Sequence, residues 1–210
     1  MIARCTRGRC LRLPLSLTTV LAASGGCASG LQTNWAPDDV LVAPSVEAYK
    51  GHAAVVLLDE LTVSYVELPR DLYQRRAIHR AIAVLTEDGL DVGDVRIVYP
   101  KSGKIESFEA RTIAADGTVT SVEPTKVFDE ASKDKDGFSV RTASLPKVSV
   151  GSIVEYRAVI RYPNPYSSDW EVVSGDYPVK RYRVDFRGPN SFRWQAQAYN
   201  FPADSEGWHV

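Results

Sequence analysis

Hydrophobic and polar residues alternate along most of the chain after about residue 50, which is the pattern of half-buried β-strands. The segment 138–162 shows it most clearly and predicts two strands hinged into a hairpin at 150–152. Its second strand places apolar and aromatic side chains on one face: Val154, Tyr156, Ala158, Ile160 and Tyr162. The opposite face is expected to meet solvent and to carry only surface ion pairs: Glu155, Arg157 and Arg161.

Further strands are predicted by β-branched and aromatic residues between turn signals. They lie at 53–58, 61–68, 95–99, 105–113, 118–122, 180–186 and 192–198. Asp116-Gly117 predicts a tight hairpin turn between 105–113 and 118–122, because both residue types tolerate positive φ. The charged segment 129–137 predicts a solvated loop.

The segment 72–85 is ambiguous. Ile78, Ala81, Ile82 and Leu85 follow helical spacing, whereas Ile78, Ile82 and Val84 also share one face of a strand. Periodicity alone mildly favours a helix there.

Turn signals at intervals of about ten residues, with a single doubtful helix, predict an all-β protein built as an antiparallel β-sandwich. The chain has 210 residues, of which 44% are hydrophobic and 24% charged, so it is long and apolar enough to bury a core. We assign this domain to 49–210 and expect its last strand to lack a neighbour at the C-terminus.

Residues 1–27 have the three parts of a cleaved secretory signal. Four arginines precede an apolar stretch at 13–23, and the small residues Ser24-Gly25-Gly26 precede Cys27. This end resembles a bacterial lipoprotein signal and predicts lipidation of Cys27, although Ser24 stands where that motif has a leucine-like residue. The alternative is an ordinary cleavage site. Residues 28–48 predict a disordered tether in which Trp35 packs onto the domain.

Charge and composition exclude several classes of function. Without the four leader arginines, 21 basic residues remain against 26 acidic ones, so nonspecific nucleic-acid binding is not expected. All three cysteines lie at or before Cys27, and His52, His79 and His209 have no metal-ligand spacing. We therefore expect no metal and no cofactor.

Two groups of residues are candidates for contact with a partner. Tyr162, Tyr166 and Trp170 are aromatic residues near turns, a type enriched at interfaces, and the alternative is that they cover one end of the core. Arg181 and Arg183 begin a basic stripe that could meet an anionic partner, and the alternative is the solvated face of a sheet.

Three motifs in order resemble the bacterial domain of unknown function family 3857: AIAVLTEDGLDVGDVRIVY (81–99), FEARTIAADGTV (108–119) and SLPKVSVGSIVEYR (144–157). The resemblance covers roughly 50–205. It implies an all-β sandwich and therefore a strand at 78–85. It also implies an association with transglutaminase-like domains, because the family commonly lies N-terminal to them in exported proteins.

The chain does not supply the chemistry of a transglutaminase-like enzyme, which needs a thiolate nucleophile, a histidine and an acidic residue. No cysteine follows Cys27, and no G-x-S-x-G elbow is present. We expect a noncatalytic accessory or binding module, exported as a periplasmic or outer-membrane lipoprotein, with a protein or peptide partner in the cell envelope and membrane attachment only through the lipid. The alternatives are the N-terminal part of a transglutaminase- or protease-like enzyme and a structural envelope lipoprotein.

Overall fold

The computed structural model describes residues 34–131, 137–163 and 175–189. These residues contain nine strands: β1 Ala54–Leu68, β2 Asp71–Val84, β3 Asp94–Pro100, β4 Lys104–Ile113, β5 Val119–Ser121, β6 Val127–Ala131, β7 Phe138–Ser144, β8 Ile153–Tyr162 and β9 Tyr182–Arg187. Their helical elements are three short 3-10 turns: Val46–Tyr49, Glu87–Gly93 and Pro124–Lys126.

The strands form two sheets. A large sheet has the order β5-β4-β8-β2-β1-β9, and a small sheet has the order β3-β7-β6. Neighbouring strands are antiparallel except β1 and β9, which are parallel. The small sheet packs on one face of the large sheet, here called the inner face, and the opposite face is called the outer face. The predicted all-β sandwich is confirmed.

The segment that was ambiguous between helix and strand is a strand. β2 pairs with β1 along its whole length and with β8 over 74–83, so its backbone groups are satisfied in two ladders. β1 runs without a break through the two strands predicted at its place, with a bulge at Leu57. Pairing across three strands thus outweighs a short helical period.

The hairpin predicted around Asp116-Gly117 is confirmed. β4 pairs antiparallel with β5, and Gly117 has a φ of 84°. The Asp116 carboxylate accepts a hydrogen bond from the Thr118 N–H at 2.8 Å, which closes the turn.

The hairpin predicted over 138–162 is wrong, although both of its strands exist. β7 lies in the small sheet between β3 and β6, and β8 lies in the large sheet between β4 and β2. Each strand has its two hydrogen-bonding edges occupied by other strands, so the two cannot pair. The connection between them crosses from one sheet to the other, and at its end Gly151, with a φ of 83°, donates its N–H to the Val84 carbonyl.

The core between the sheets contains the apolar face that was predicted for β8. Val154, Tyr156, Ala158 and Ile160 pack with Val95 and Ile97 of β3, and with Ile105, Ala110 and Leu145. Ile160 and Val154 are fully buried.

The outer face is covered in part by the segment 34–49, here called the N-terminal arm. Its Ala36 and Val40 are buried in a cluster with Leu57 and Leu58 of β1 and Ile153 of β8. The segment predicted as a tether, 28–48, is described from residue 34 onward, and there it lies on the large sheet.

The charged segment 129–137 is only partly a loop, because β6 extends through Asp129 to Ala131. Asp129 lies directly across from Arg141 of β7 and accepts two hydrogen bonds from its guanidinium, at 2.7 and 2.6 Å. This cross-strand ion pair stabilises a strand that the composition does not favour.

We expect Ile160→Ala to lower the free energy of unfolding by about 2–5 kcal/mol, because it removes a fully buried side chain between the sheets. Chemical denaturation monitored by far-UV circular dichroism would measure the change. Val150→Ala is the control, since Val150 is exposed in the connection between β7 and β8. Equal losses for the two variants would contradict the placement of Ile160.

Candidate functional site

A buried carboxylate lies on the outer face of the large sheet. Glu155 of β8 has no solvent exposure. Its Oε1 accepts hydrogen bonds from His79 Nε2 at 2.7 Å and from the Ala36 N–H at 2.8 Å. Its Oε2 accepts from Arg111 Nε at 2.7 Å, and Arg111 Nη2 lies at the same distance. We call Glu155, His79, Arg111 and the Ala36 N–H the Glu155 cluster.

The register of three adjacent strands brings these side chains together. Arg111 of β4 lies directly across from Glu155, and His79 of β2 is diagonal to it, across from Arg157. Glu60 of β1 lies directly across from His79, with 3.7 Å between Glu60 Oε2 and His79 Nδ1, which is too long for a hydrogen bond. Since Glu155 is an ionised acceptor, the proton of the His79 ring is assigned to Nε2.

The indole of Trp35 closes the cluster from the side of the N-terminal arm. The guanidinium carbons of Arg111 and Arg157 each lie 4.3 Å from the centroid of its ring. Arg157 is itself held by Glu109, with 2.6 Å between Arg157 Nη2 and Glu109 Oε2. Two cations at this distance from one indole make favourable cation–π contacts, so the packing contact predicted for Trp35 is present.

Burial and hydrogen bonding act in opposite directions on Glu155. Burial alone would raise its pKa, but the hydrogen bonds from His79, the Ala36 N–H and Arg111 outweigh burial and lower the pKa below its usual value of 4.5. The carboxylate is therefore ionised at neutral pH. Because its oxygens already accept from these donors, and because a lowered pKa makes a weak base, the geometry suits the binding of N–H donors better than proton abstraction.

A surface pocket of about 430 Å³ adjoins the cluster. Trp35 and Glu109 form part of its wall together with Phe108, Val122 and Pro124. The pocket lies where β4 and β5 of the large sheet approach β6 of the small sheet, and Arg141 and Val127 line its far side.

A second group of polar residues, one buried and two half-buried, lies on the inner face. Asp59, Arg80 and Tyr156 stand side by side on β1, β2 and β8. Arg80 Nε is 3.3 Å from Asp59 Oδ2. Burial raises the pKa of Asp59 against the opposing effect of Arg80, and burial also raises the pKa of Tyr156. This row ties three strands of the large sheet together.

Three of the residues predicted as partner contacts lie in the described part of the chain. Tyr162 ends β8 and packs against the core between the sheets, with the Arg76 guanidinium 5.2 Å from its ring centroid. Arg181 just before β9 and Arg183 within it are exposed, and β9 is the outermost described strand of the large sheet. Arg183 Nη2 pairs with Asp185 at 3.0 Å. Cys27, Tyr166 and Trp170 lie outside the described residues.

The prediction that Glu155 faces solvent is wrong. Glu155 shares its face of β8 with Ile153 and Val159, and both of these apolar residues are buried. β8 is a central strand that is covered on both faces, so alternation did not separate a dry face from a wet one. The sequence did carry one signal of this burial, since the apolar residues Ile153 and Val159 lie on the same face of the strand as Glu155. Nothing in the sequence indicated that His79, Arg111 and Trp35 converge on it.

Within the described ranges, no three His, Cys, Asp or Glu side chains lie together so that they could hold a metal ion. The same ranges contain no helix with the length and hydropathy needed to cross a membrane.

We expect Glu155→Gln to lower the free energy of unfolding at pH 7 by about 2–4 kcal/mol, because it removes the charge that accepts from His79, Arg111 and the Ala36 N–H. Since the folded-state pKa of Glu155 is lowered, its stabilisation is full above the unfolded pKa and is lost as the pH falls through the folded pKa. The difference in free energy of unfolding between wild type and Glu155→Gln should therefore become smaller in acid. Urea titrations at neutral and acidic pH would measure it.

The matched control is Glu109→Gln, which alters an exposed carboxylate that also binds an arginine of the same sheet. Its cost should stay near or below about 1 kcal/mol. A gap for Glu155→Gln that is equally wide at pH 7 and pH 3 would contradict the assigned pKa direction.

Comparison with known proteins places this fold in a family. A search of curated proteins returned no match. In a search of solved structures, the crystal structure of "a putative protease" from Parabacteroides distasonis has a similar fold, with a TM-score of 0.55 and 16% sequence identity. The match covers 66% of this chain and 29% of that one, so the present chain corresponds to less than a third of that protein.

The family model for the domain of unknown function DUF3857 matches residues 71–206, from the start of β2 to near the end of the sequence. The match includes the three motifs at 81–99, 108–119 and 144–157, and it covers more than half of the chain. The chain therefore belongs to the DUF3857 family.

Proposed function

We propose that this domain is a noncatalytic binding module that acts with a transglutaminase-like enzyme of the Cys-His-Asp type in the cell envelope. The observation that carries the proposal is the fold shared with a protein described as a putative protease, in which the matched region is only 29% of the length. In that protein the fold is one part of a longer chain. The same arrangement here would place the catalytic residues outside the domain.

The chemistry of the described site supports the same proposal. The enzyme class needs a thiolate, and no cysteine follows Cys27. The Glu155 cluster contains a histidine and a carboxylate, but the carboxylate is saturated with hydrogen bonds and is enclosed beneath the N-terminal arm. These residues stabilise the fold and fix the arm rather than activate a nucleophile.

The second candidate is that the domain is the N-terminal part of such an enzyme, joined to it in one polypeptide. The 29% coverage favours this candidate as much as the first. Intact-mass analysis of the protein from its native cells separates the two, because one candidate gives a chain of about the mass of this sequence and the other a much larger chain. A native chain of this mass that binds no transglutaminase-like protein would contradict both and favour a structural envelope protein.

We expect the isolated domain to bind a transglutaminase-like protein from the same organism through the exposed arginines Arg181 and Arg183. Arg181→Glu with Arg183→Glu should weaken the Kd by about fivefold or more, since rim charges contribute modestly to affinity. Isothermal titration calorimetry would measure it. Arg96→Glu, an exposed arginine of the small sheet, is the control and should leave the Kd unchanged. Equal effects of the two changes would contradict a binding site at Arg181 and Arg183.

We further propose export as a lipoprotein, with Cys27 acylated and the membrane reached only through the lipid. Mass spectrometry of the mature protein should find acyl groups on Cys27, and Cys27→Ser should release the protein from the membrane fraction. A mature wild-type product that is soluble and unacylated would contradict this proposal and favour ordinary cleavage before or near Cys27.

A further inference from the structure

The Glu155 cluster has the construction of a peptide-binding site. Its three side chains come from the central strands β2, β4 and β8, whose pairing with one another does not involve the N-terminal arm. His79 and Arg111 orient the carboxylate, and Oε1 of Glu155 additionally accepts a backbone N–H from another segment. An acceptor held in place by rigid strands is pre-organised for an incoming donor.

The arm is attached in the way that an extended peptide is attached to a receptor. It forms no strand pairing with the large sheet. Its contacts with the sheet include the Ala36 N–H bond, the Trp35 ring on two guanidiniums, and the buried side chains of Ala36 and Val40. Asn34, Pro37 and the two aspartates that follow are exposed.

The backbone hydrogen bonds within the arm do not depend on the sheet either. The N–H groups of Val40 and Leu41 donate to the Pro37 carbonyl, and the Ala48 N–H donates to the Ser45 carbonyl. Ala36, Val40, Leu41 and Tyr49 of the arm pack on the buried cluster, but a segment without strand pairing opens with a lower free energy than the paired strands beneath it. We therefore expect the arm to open before the sheet unfolds.

We propose that this site binds extended peptides that carry an aromatic residue followed by a small, non-proline residue, and that the N-terminal arm occupies it as an internal ligand. The aromatic ring is selected by Arg111 and Arg157. The next residue must be small, because Ala36 is buried against the sheet, and it must keep its N–H, because Glu155 accepts that proton. The site rests on the geometry of the described residues and not on the proposed enzyme partner.

The neighbouring pocket extends the site beyond the arm. Trp35 forms one wall of it, and Phe108, Val122 and Pro124 form an apolar part of the rest. At about 430 Å³ the pocket has room for a further large side chain of a peptide bound at the Trp35 position. An external ligand could thus gain contacts that the arm does not make.

The arm competes with any external peptide at a high effective concentration, because it belongs to the same chain. An external peptide should accordingly bind the wild-type protein weakly and bind more tightly when the arm is weakened. Trp35→Ala combined with Ala36→Pro weakens the arm in the full chain, since it removes both the ring and the N–H donor without altering the sheet.

The probe is a fluorescein-labelled synthetic peptide with the sequence of residues 33–42, TNWAPDDVLV, and binding is measured by fluorescence anisotropy. The full-length double variant Trp35→Ala/Ala36→Pro should bind it at least tenfold more tightly than wild type does. Two control peptides, one with Trp35→Ala and one with Ala36→Pro, should each bind the double variant at least tenfold more weakly than the probe does. Adding Arg111→Ala to the double variant should also abolish the gain.

Equal affinity of wild type and the double variant for the probe would overturn the proposal, and so would equal affinity of the double variant for the probe and the Trp35→Ala peptide. A folded double variant that binds no probe would overturn it as well. These outcomes are independent of whether a transglutaminase-like protein binds the domain, so the two proposals can fail separately.

Hydrogen exchange in the wild-type chain decides the case if the double variant does not fold. An excess of the probe peptide should speed exchange of the Ala36 amide at least several-fold and leave the amides of β8 unchanged, whereas the Ala36→Pro peptide should have no effect. An Ala36 amide that exchanges only with global unfolding, at the rate of the β8 amides and without response to the probe, would show that the arm is a permanent part of the core.

Discussion

The burial of the Glu155 carboxylate is the constraint on which the outer half of this domain depends. Removing an ionised carboxylate from water costs several kcal/mol, and the cost is offset only when donors surround it in good geometry. Here the donors come from two neighbouring strands and from the N-terminal arm. The arm, the β2–β8 register and the β4–β8 register must all be correct at once. The cluster therefore favours the observed strand register over registers shifted by one residue. A slip of β8 by one residue would turn Glu155 toward Val95 and Ile97 in the apolar layer.

The two faces of the large sheet are covered in different ways. The inner face is covered by a second sheet and is mainly apolar, although it also contains the Asp59, Arg80 and Tyr156 row and the buried side chains of Gln74 and Thr112. The outer face has the arm over one end. Toward the other end lie ion pairs such as Arg75 with Glu106 and Arg161 with Asp71. Long arginine side chains can shield apolar residues such as Ala77 and Val159 while keeping their charged ends in contact with carboxylates and solvent.

Local patterns were sufficient where structure is local. Most of the described strands, the Asp116-Gly117 turn and the apolar face of β8 followed from alternation and turn chemistry. β6 did not, and the strand predicted at 192–198 lies outside the described residues. Periodicity favoured a helix for β2, and only the resemblance to a family corrected it, because strand pairing is not encoded in a short period. The failure at 138–162 has the same cause: alternation identifies a strand but not its neighbours, and a glycine turn can lead equally to a hairpin or to the other sheet. The sequence placed Glu155 in solvent because a strand that is buried on both faces shows no difference between buried and exposed positions. His79, Arg111 and Trp35 are too far apart in sequence for their spacing to show that they come together at Glu155.

The arm and the ionisation of Glu155 are thermodynamically linked. The Ala36 N–H is one of the donors that lower the pKa of Glu155, so docking of the arm favours the ionised carboxylate. By reciprocity, ionisation of Glu155 favours docking of the arm by the same free energy, and protonation in acid weakens it. The same relation holds for any peptide that replaces Ala36 with its own N–H. The pH therefore acts on the arm through the ionisation of the carboxylate that the arm covers.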